Sequence, residues 1–239
     1  MAGFVLLVSV GLAIYFAHAS NEHFKMSNEL RLDPAGLAVY AAERAAPPPP
    51  ADRPVLLFYG DSRALMWTPT KDLPDWNIVD RGVGYQTTAQ ILLRFDTDVP
   101  LLHPAVVVLE AGVNDLKALV AFPERRAEII STCVKNLTLL VARSRALGAT
   151  VVLTTVFAMG DVSLLRRLQW SDDVAVAVRE VNGHIRKMAA DKVIVFDADP
   201  VLDEGDKIRP AFQHDFIHIS PAGYAALNER LVPIVRGLR

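Results

Sequence analysis

Ser62 stands where the apolar run Val55-Leu56-Leu57-Phe58-Tyr59 stops at the small, polar triplet Gly60-Asp61-Ser62 and a helix-forming run, Ala64 to Trp67, begins. A hydroxyl at such a junction can attack a carbonyl carbon, or it can simply cap the first turn of a helix, as serine often does. Attack requires a base to take the hydroxyl proton, an acid to orient that base, and hydrogen-bond donors for the developing oxyanion. Each role has a candidate. Of the six histidines, only His218 has a carboxylate, Asp215, three residues earlier in a short segment before a helix, which Pro221 starts. Asn114 offers a neutral side-chain amide, the turn at Gly84-Tyr85 a backbone N–H, and Ser62 its own amide. These types suit acyl transfer from an ester.

Other residues divide between chemistry and structure. Arg63 reads either as a substrate-binding cation for an anionic ester or as an exposed, solvated arginine. Asp61 and Asp115 read as turn and network carboxylates, and His103 and His214 as bystanders. The long segment 157–170 contains Met159, Leu164, Leu165, Leu168 and Trp170. It either walls a substrate pocket or packs on the sheet as an amphipathic turn. No spacing of His, Cys, Asp or Glu suggests a metal site. Neither Gly-x-x-x-x-Gly-Lys-Ser/Thr nor a full Gly-x-Gly-x-x-Gly occurs, which disfavours nucleotide binding, and no cofactor is expected.

The elements that must position these groups follow from periodicity. Strands are predicted at 55–59, 77–80, 106–110, 151–156 and 193–196, and helices at 87–95, 124–147, 172–190 and 221–237, with Gly148 stopping the second helix. Alternation of this kind predicts an α/β fold, a parallel sheet with helices on both faces. Loops at the carboxyl ends of such strands converge, so Ser62, Gly84-Tyr85, Asn114 and the Asp215–His218 segment should share one rim.

Gly60-Asp61-Ser62, the glycine-containing turn after the second strand, Gly112-x-Asn114-Asp115, and Asp215-x-x-His218 followed by Pro221-x-Gly223-Tyr224 resemble, in order, the four blocks of the SGNH (GDSL) hydrolase family. The resemblance implies a three-layer α/β/α sandwich of flavodoxin-like type on a five-stranded parallel sheet. It also implies Ser62 as nucleophile, His218 as base, Asp215 as its partner and Asn114 in the oxyanion hole. The second block usually brings a glycine as oxyanion donor. Here Gly84 or Tyr85 could fill that place, and Gly84 would tolerate a positive φ more easily.

With 239 residues, 51% of them hydrophobic, the chain suffices for one large core. Lys and Arg number 25 against 27 Asp and Glu, without a long run of either sign, so nothing marks a nucleic-acid partner. A small-molecule, lipid or acylated-carbohydrate ester fits better. The lone Cys133, on a helical pattern, reads as a core thiol and permits no disulfide within the chain.

Residues 1–19 are expected to direct the chain to a membrane. The stretch 2–19 is apolar, uncharged and near the short limit for a spanning helix, and Ala17-His18-Ala19 resembles a signal-cleavage site. Residues 20–51 read as a stalk ending in the stiff spacer Pro47-Pro48-Pro49-Pro50, and 52–239 as the catalytic domain. That domain is expected on the extracytoplasmic (periplasmic) side, membrane-anchored or secreted after cleavage. Lys25 and Arg31 weigh toward the opposite orientation. The leading expectation is a serine esterase or lipase-like hydrolase working through an acyl-enzyme. An O-acyltransferase or deacetylase acting on an envelope carbohydrate would use the same residues. A catalytically inactive, membrane-tethered binding module is the competing reading, against which stands the presence of nucleophile, base, acid and oxyanion donors together.

Overall fold

The computed structural model describes residues 1–67, 72–167 and 170–238, without the side chains of residues 2 and 5. The chain forms two compact units, Met1–Ala41 and Ala42–Arg239. In the first, helix α1 (Ala2–Leu32) runs without a break through the expected boundary at residues 19 and 20. It ends at Asp33, whose carboxylate accepts the Leu37 and Ala38 amides, both at 2.8 Å. Phe4, Leu6, Leu7, Leu12, Ile14 and Phe16 are all exposed on α1. Among the described residues no helix is long and apolar enough to cross a membrane.

The expected start of the catalytic domain at residue 52 moves upstream. Helix α2 (Ala41–Ala45) leads into the prolines, and Arg44 pairs with the buried Asp98 at 2.7 Å. Asn77 Nδ2 donates to Pro50 O at 2.6 Å and to Arg53 O at 2.9 Å. The proline segment is therefore fastened to the second unit instead of standing free as a spacer.

Five parallel strands form the central sheet in the order β2-β1-β3-β4-β5: β1 (Val55–Gly60), β2 (Asn77–Gly82), β3 (Val106–Glu110), β4 (Thr150–Thr154) and β5 (Val193–Phe196). β1 and β3 are buried along their whole length, as expected of central strands covered on both faces. Alternate side chains serve the two layers. Leu57 and Tyr59 pack with Ile91 of α4 (Thr88–Leu93), Phe95 of α5 (Phe95–Asp98), α6 (Val113–Lys117), α7 (Arg126–Ala146) and α9 (Asp173–Ile185). Leu56 and Phe58 pack with Trp67, Trp76, α10 (Asp199–Leu202) and α11 (Pro221–Arg236). The three-layer α/β/α architecture is that expected.

Several boundaries differ. β2 runs on to Gly82, and β4 stops at Thr154, after which Val156 is held by reciprocal bonds between its backbone and the Asn182 amide. The helix expected over 87–95 divides into α4 and α5 at Arg94. The helix expected over 172–190 ends at Ile185, where Arg186 turns to pair with Asp197 and Asp199 beyond β5. Short elements not foreseen include α6, α10, α8 (Leu164–Arg167) and a hairpin of β6 (Asp203–Glu204) with β7 (Lys207–Ile208).

Candidate active site

The junction after β1 becomes the four-residue helix α3 (Ser62–Leu65). Its cap is Asp61, whose carboxylate accepts the Arg63 amide at 2.9 Å, so Ser62 occupies the first helical position with its hydroxyl free of capping duty. Gly60 is required by space. A Cβ there would lie 1.7 Å from the Glu110 carbonyl oxygen on β3.

Asp215, Ile217 and His218 form a tight loop before α11. Asp215 Oδ1 accepts the Ile217 and His218 amides, each at 2.7 Å, and Oδ2 lies 2.8 Å from His218 Nδ1. His218 Nε2 in turn lies 2.9 Å from Ser62 Oγ, across 156 residues of sequence. Ser220 caps α11 through the Gly223 amide.

Donors follow the carboxyl ends of β1, β2 and β3. The Ser62, Gly84 and Tyr85 amides carry no hydrogen bond among the described residues. Tyr85, not Gly84, takes the left-handed backbone, with φ 65°. Of the two residues left open by the sequence, the positive φ falls on the one that tolerates it less easily, and strain of this kind in a non-glycine residue is typical of functional turns. Asn114, at the start of α6, donates one Nδ2 hydrogen to Gln86 O at 3.1 Å. Gly112, with φ 123°, makes the turn that sets α6 on the end of β3.

With this geometry in view, the sequence comparison is decisive: residues 60–226 match the GDSL-like Lipase/Acylhydrolase family. The chain belongs to that family. A GDSL-like lipase from Bacteroides thetaiotaomicron is 25% identical with a TM-score of 0.64, the match covering 84% of this chain and 98% of that one. A lipase/acylhydrolase from Enterococcus faecalis shares the fold at 22% identity and a TM-score of 0.57, covering 77% of this chain and 96% of that one. So does an acetyl xylan esterase, at 19% identity and a TM-score of 0.60, covering 76% and 99%. No match was found among curated proteins. The chain is a GDSL-type hydrolase acting on ester bonds.

In this GDSL-like hydrolase the electrostatics favour an ionised Asp215. Burial pushes its carboxyl up, but the His218 ring and the His218 and Ile217 amides outweigh burial and hold it below the usual carboxylate value. Asp115 is a network residue: burial pushes its carboxyl up to about 6 against the bonds from Thr88, whose amide and hydroxyl it accepts at 2.8 and 2.6 Å. Glu110 is fully buried below Ser62, with neither carboxyl oxygen hydrogen-bonded. Burial, then the charge of Asp61, pushes its pKa well above the usual carboxylate value, with Arg63 pulling the other way.

Arg63 is neither exposed nor aimed at substrate. It is completely buried, and its guanidinium donates to the carbonyls of Ile217, Phe157 and Ala158. Its own carbonyl accepts the Tyr224 hydroxyl at 2.8 Å, so the residue beside Ser62 ties the turn after β1 to the His218 loop and α11. Met159 is likewise buried, in the core beneath a groove of about 530 Å³ that Trp170 and Arg167 also line. Trp170 packs edge-on against Phe216 at 5.1 Å, fastening segment 157–170 to the Asp215–His218 loop. Leu164 and Leu165 are exposed, contrary to packing on the sheet, and Leu168 lies outside the described residues. Among the described residues no group of His, Cys, Asp and Glu could hold a metal ion.

Two residues of the site escaped sequence reasoning. Arg94 is buried and donates to Gly60 O, Arg81 O and Gln86 Oε1 at 2.9, 2.8 and 2.6 Å, joining the end of β1 to β2 and the turn after it. Its pairing with Asp98, four residues on, was the available signal. Lys117 is the other, and its signal was its spacing from Asn114.

Proposed function

We propose that the protein cleaves a carboxylic ester by a serine mechanism. The observation that carries this reading is the unbroken line from Asp215 Oδ2 through the His218 ring to Ser62 Oγ, with contacts of 2.8 and 2.9 Å. Ser62 Oγ attacks the ester carbonyl while His218 Nε2 takes its proton, and Asp215 holds the imidazole in the tautomer that leaves Nε2 free to accept. The carbonyl oxygen, now an oxyanion, is met by the Asn114 amide and by the backbone N–H groups of Ser62 and of the Gly84-Tyr85 turn. His218 returns the proton to the leaving alcohol. Water, deprotonated by His218, then attacks the acyl-enzyme and releases the acid. A fluorophosphonate probe followed by peptide mass spectrometry tests the assignment: it should modify Ser62, and Ser62→Ala should neither label nor hydrolyse p-nitrophenyl esters. Labelling of that variant would overturn it.

The reading extends to location. An exposed helix surface that is apolar all round, as the first half of α1 is, suits lipid better than water. On this reading the first half of α1 associates with lipid and the catalytic unit lies on the extracytoplasmic side, within reach of lipid or envelope-carbohydrate esters. Protease added to intact spheroplasts should digest the catalytic unit. Digestion only after membrane rupture would refute this placement.

A further inference from the structure

Lys117 sits on the rim of the site with no task in the mechanism above. It ends α6 three residues after Asn114, a spacing that puts both side chains on one helix face. Its Nζ donates to Asn114 Oδ1 at 3.2 Å and lies 5.7 Å from the centre of the Tyr85 ring. Among the described residues it forms no ion pair. Burial lowers its pKa from the ordinary lysine value, with Asp61 and Asp215 pulling the other way and Arg166 and Arg63 adding to the lowering. An ammonium half withdrawn from water without a carboxylate is unfavourable in the resting protein. A negative charge that appears only during reaction would compensate it.

The Asn114 amide is the link to such a charge. Gln86 O can only accept and an ammonium can only donate, so the orientation of the amide is fixed from both ends. One Nδ2 hydrogen is spent on Gln86, and the second has no partner among the described residues. A cation on the amide oxygen draws density from the nitrogen and strengthens that remaining N–H as a donor. The same ammonium lies against the ring of Tyr85, whose left-handed turn presents the backbone donors.

We propose that Lys117 is a positioning residue of the oxyanion hole, orienting and polarising the Asn114 amide so that its free N–H binds the transition state more strongly than the substrate. The proposal rests on the serine-esterase reading of the site. A double-mutant cycle on the full chain with the neutral ester p-nitrophenyl acetate tests it. Lys117→Met should lower kcat about tenfold, a fraction of the ~10² to 10³ expected for losing the Asn114 donor itself, with KM little changed. Lys117→Arg should recover most of the loss. In the Asn114→Ala background, Lys117→Met should cost no further kcat. Equal losses in both backgrounds, or a raised KM at unchanged kcat, would overturn the proposal, the second outcome making Lys117 a substrate-binding group. Lys117→Gln, also uncharged, repeats the measurement should Lys117→Met fold poorly. Fluorophosphonate labelling of Ser62 in each variant separates the two levels. If Ser62 labels but the cycle is additive, only the role of Lys117 falls, whereas hydrolysis that survives Ser62→Ala removes the esterase reading itself.

Discussion

Replacing Asp215 by Asn changes one atom of the carboxylate and separates its two duties. Oδ1 accepts two backbone amides at 2.7 Å, and the new side chain must keep its oxygen there, because its NH₂ turned that way would face two donors. Each such bond contributes about 1 kcal/mol net. Asp215→Asn should therefore unfold within about 1 kcal/mol of the wild type, whereas Asp215→Ala, which loses both, should lose about 2 kcal/mol. Catalysis behaves differently. The NH₂ then occupies the place of Oδ2, 2.8 Å from His218 Nδ1, and donates to it. The ring must carry its proton on Nε2, which then donates toward Ser62 Oγ instead of accepting from it. A wrong tautomer of this kind costs about 10⁴ in kcat in a serine triad, or about 5.4 kcal/mol of transition-state stabilisation. Steady-state hydrolysis of a p-nitrophenyl ester, paired with urea denaturation of both variants, gives the two numbers. An Asp215→Asn enzyme within tenfold of wild-type kcat would refute the tautomer argument. One as unstable as Asp215→Ala would refute the part assigned to Oδ1.

Gly60→Ala should cost about 3 kcal/mol or more, since its Cβ would lie 1.7 Å from a backbone oxygen of the neighbouring strand and β1 and β3 must separate. A denaturation midpoint like that of the wild type would show that the strands yield easily. Glu110→Gln should be tolerated, because burial already disfavours the charged form of the native side chain and glutamine has its shape. Strong destabilisation would contradict the upward shift. Asp203 has its carboxyl pushed up to about 7, first by burial and then by the charge of Asp199. An acid whose folded pKa is raised stabilises the fold below its unfolded value and loses that contribution as pH rises through the folded one. The melting temperature of Asp203→Asn should accordingly climb above that of the wild type between about pH 4 and pH 8, and parallel curves would contradict the shift.

The parts of this protein legible in its sequence are those that depend on neighbours along the chain. An apolar run halted by Gly60-Asp61-Ser62 is a local signal for a buried strand handing over to a helix, and Asp215-x-x-His218 before Pro221 is a local signal for a pinned loop. Strand ends in a parallel sheet face one way, so the five strands and the rim shared by Ser62, Asn114 and His218 followed from the same local patterns. Arg63 could not be placed that way. Its partners, Phe157, Ala158 and Ile217, lie 94 to 154 residues further along, and only folding shows that a charged residue next to a turn is spent on their carbonyls. The same holds for the proline segment, read as a free spacer until Arg44 meets Asp98 and Asn77 meets Pro50. Tyr85 shows the limit most directly. Local preference favours glycine in a left-handed turn, yet the strained backbone belongs to Tyr85, whose ring lies against the Lys117 ammonium. Which residue bears the strain in the turn after β2 was thus a matter for the tertiary structure, because residue preference alone points to its neighbour.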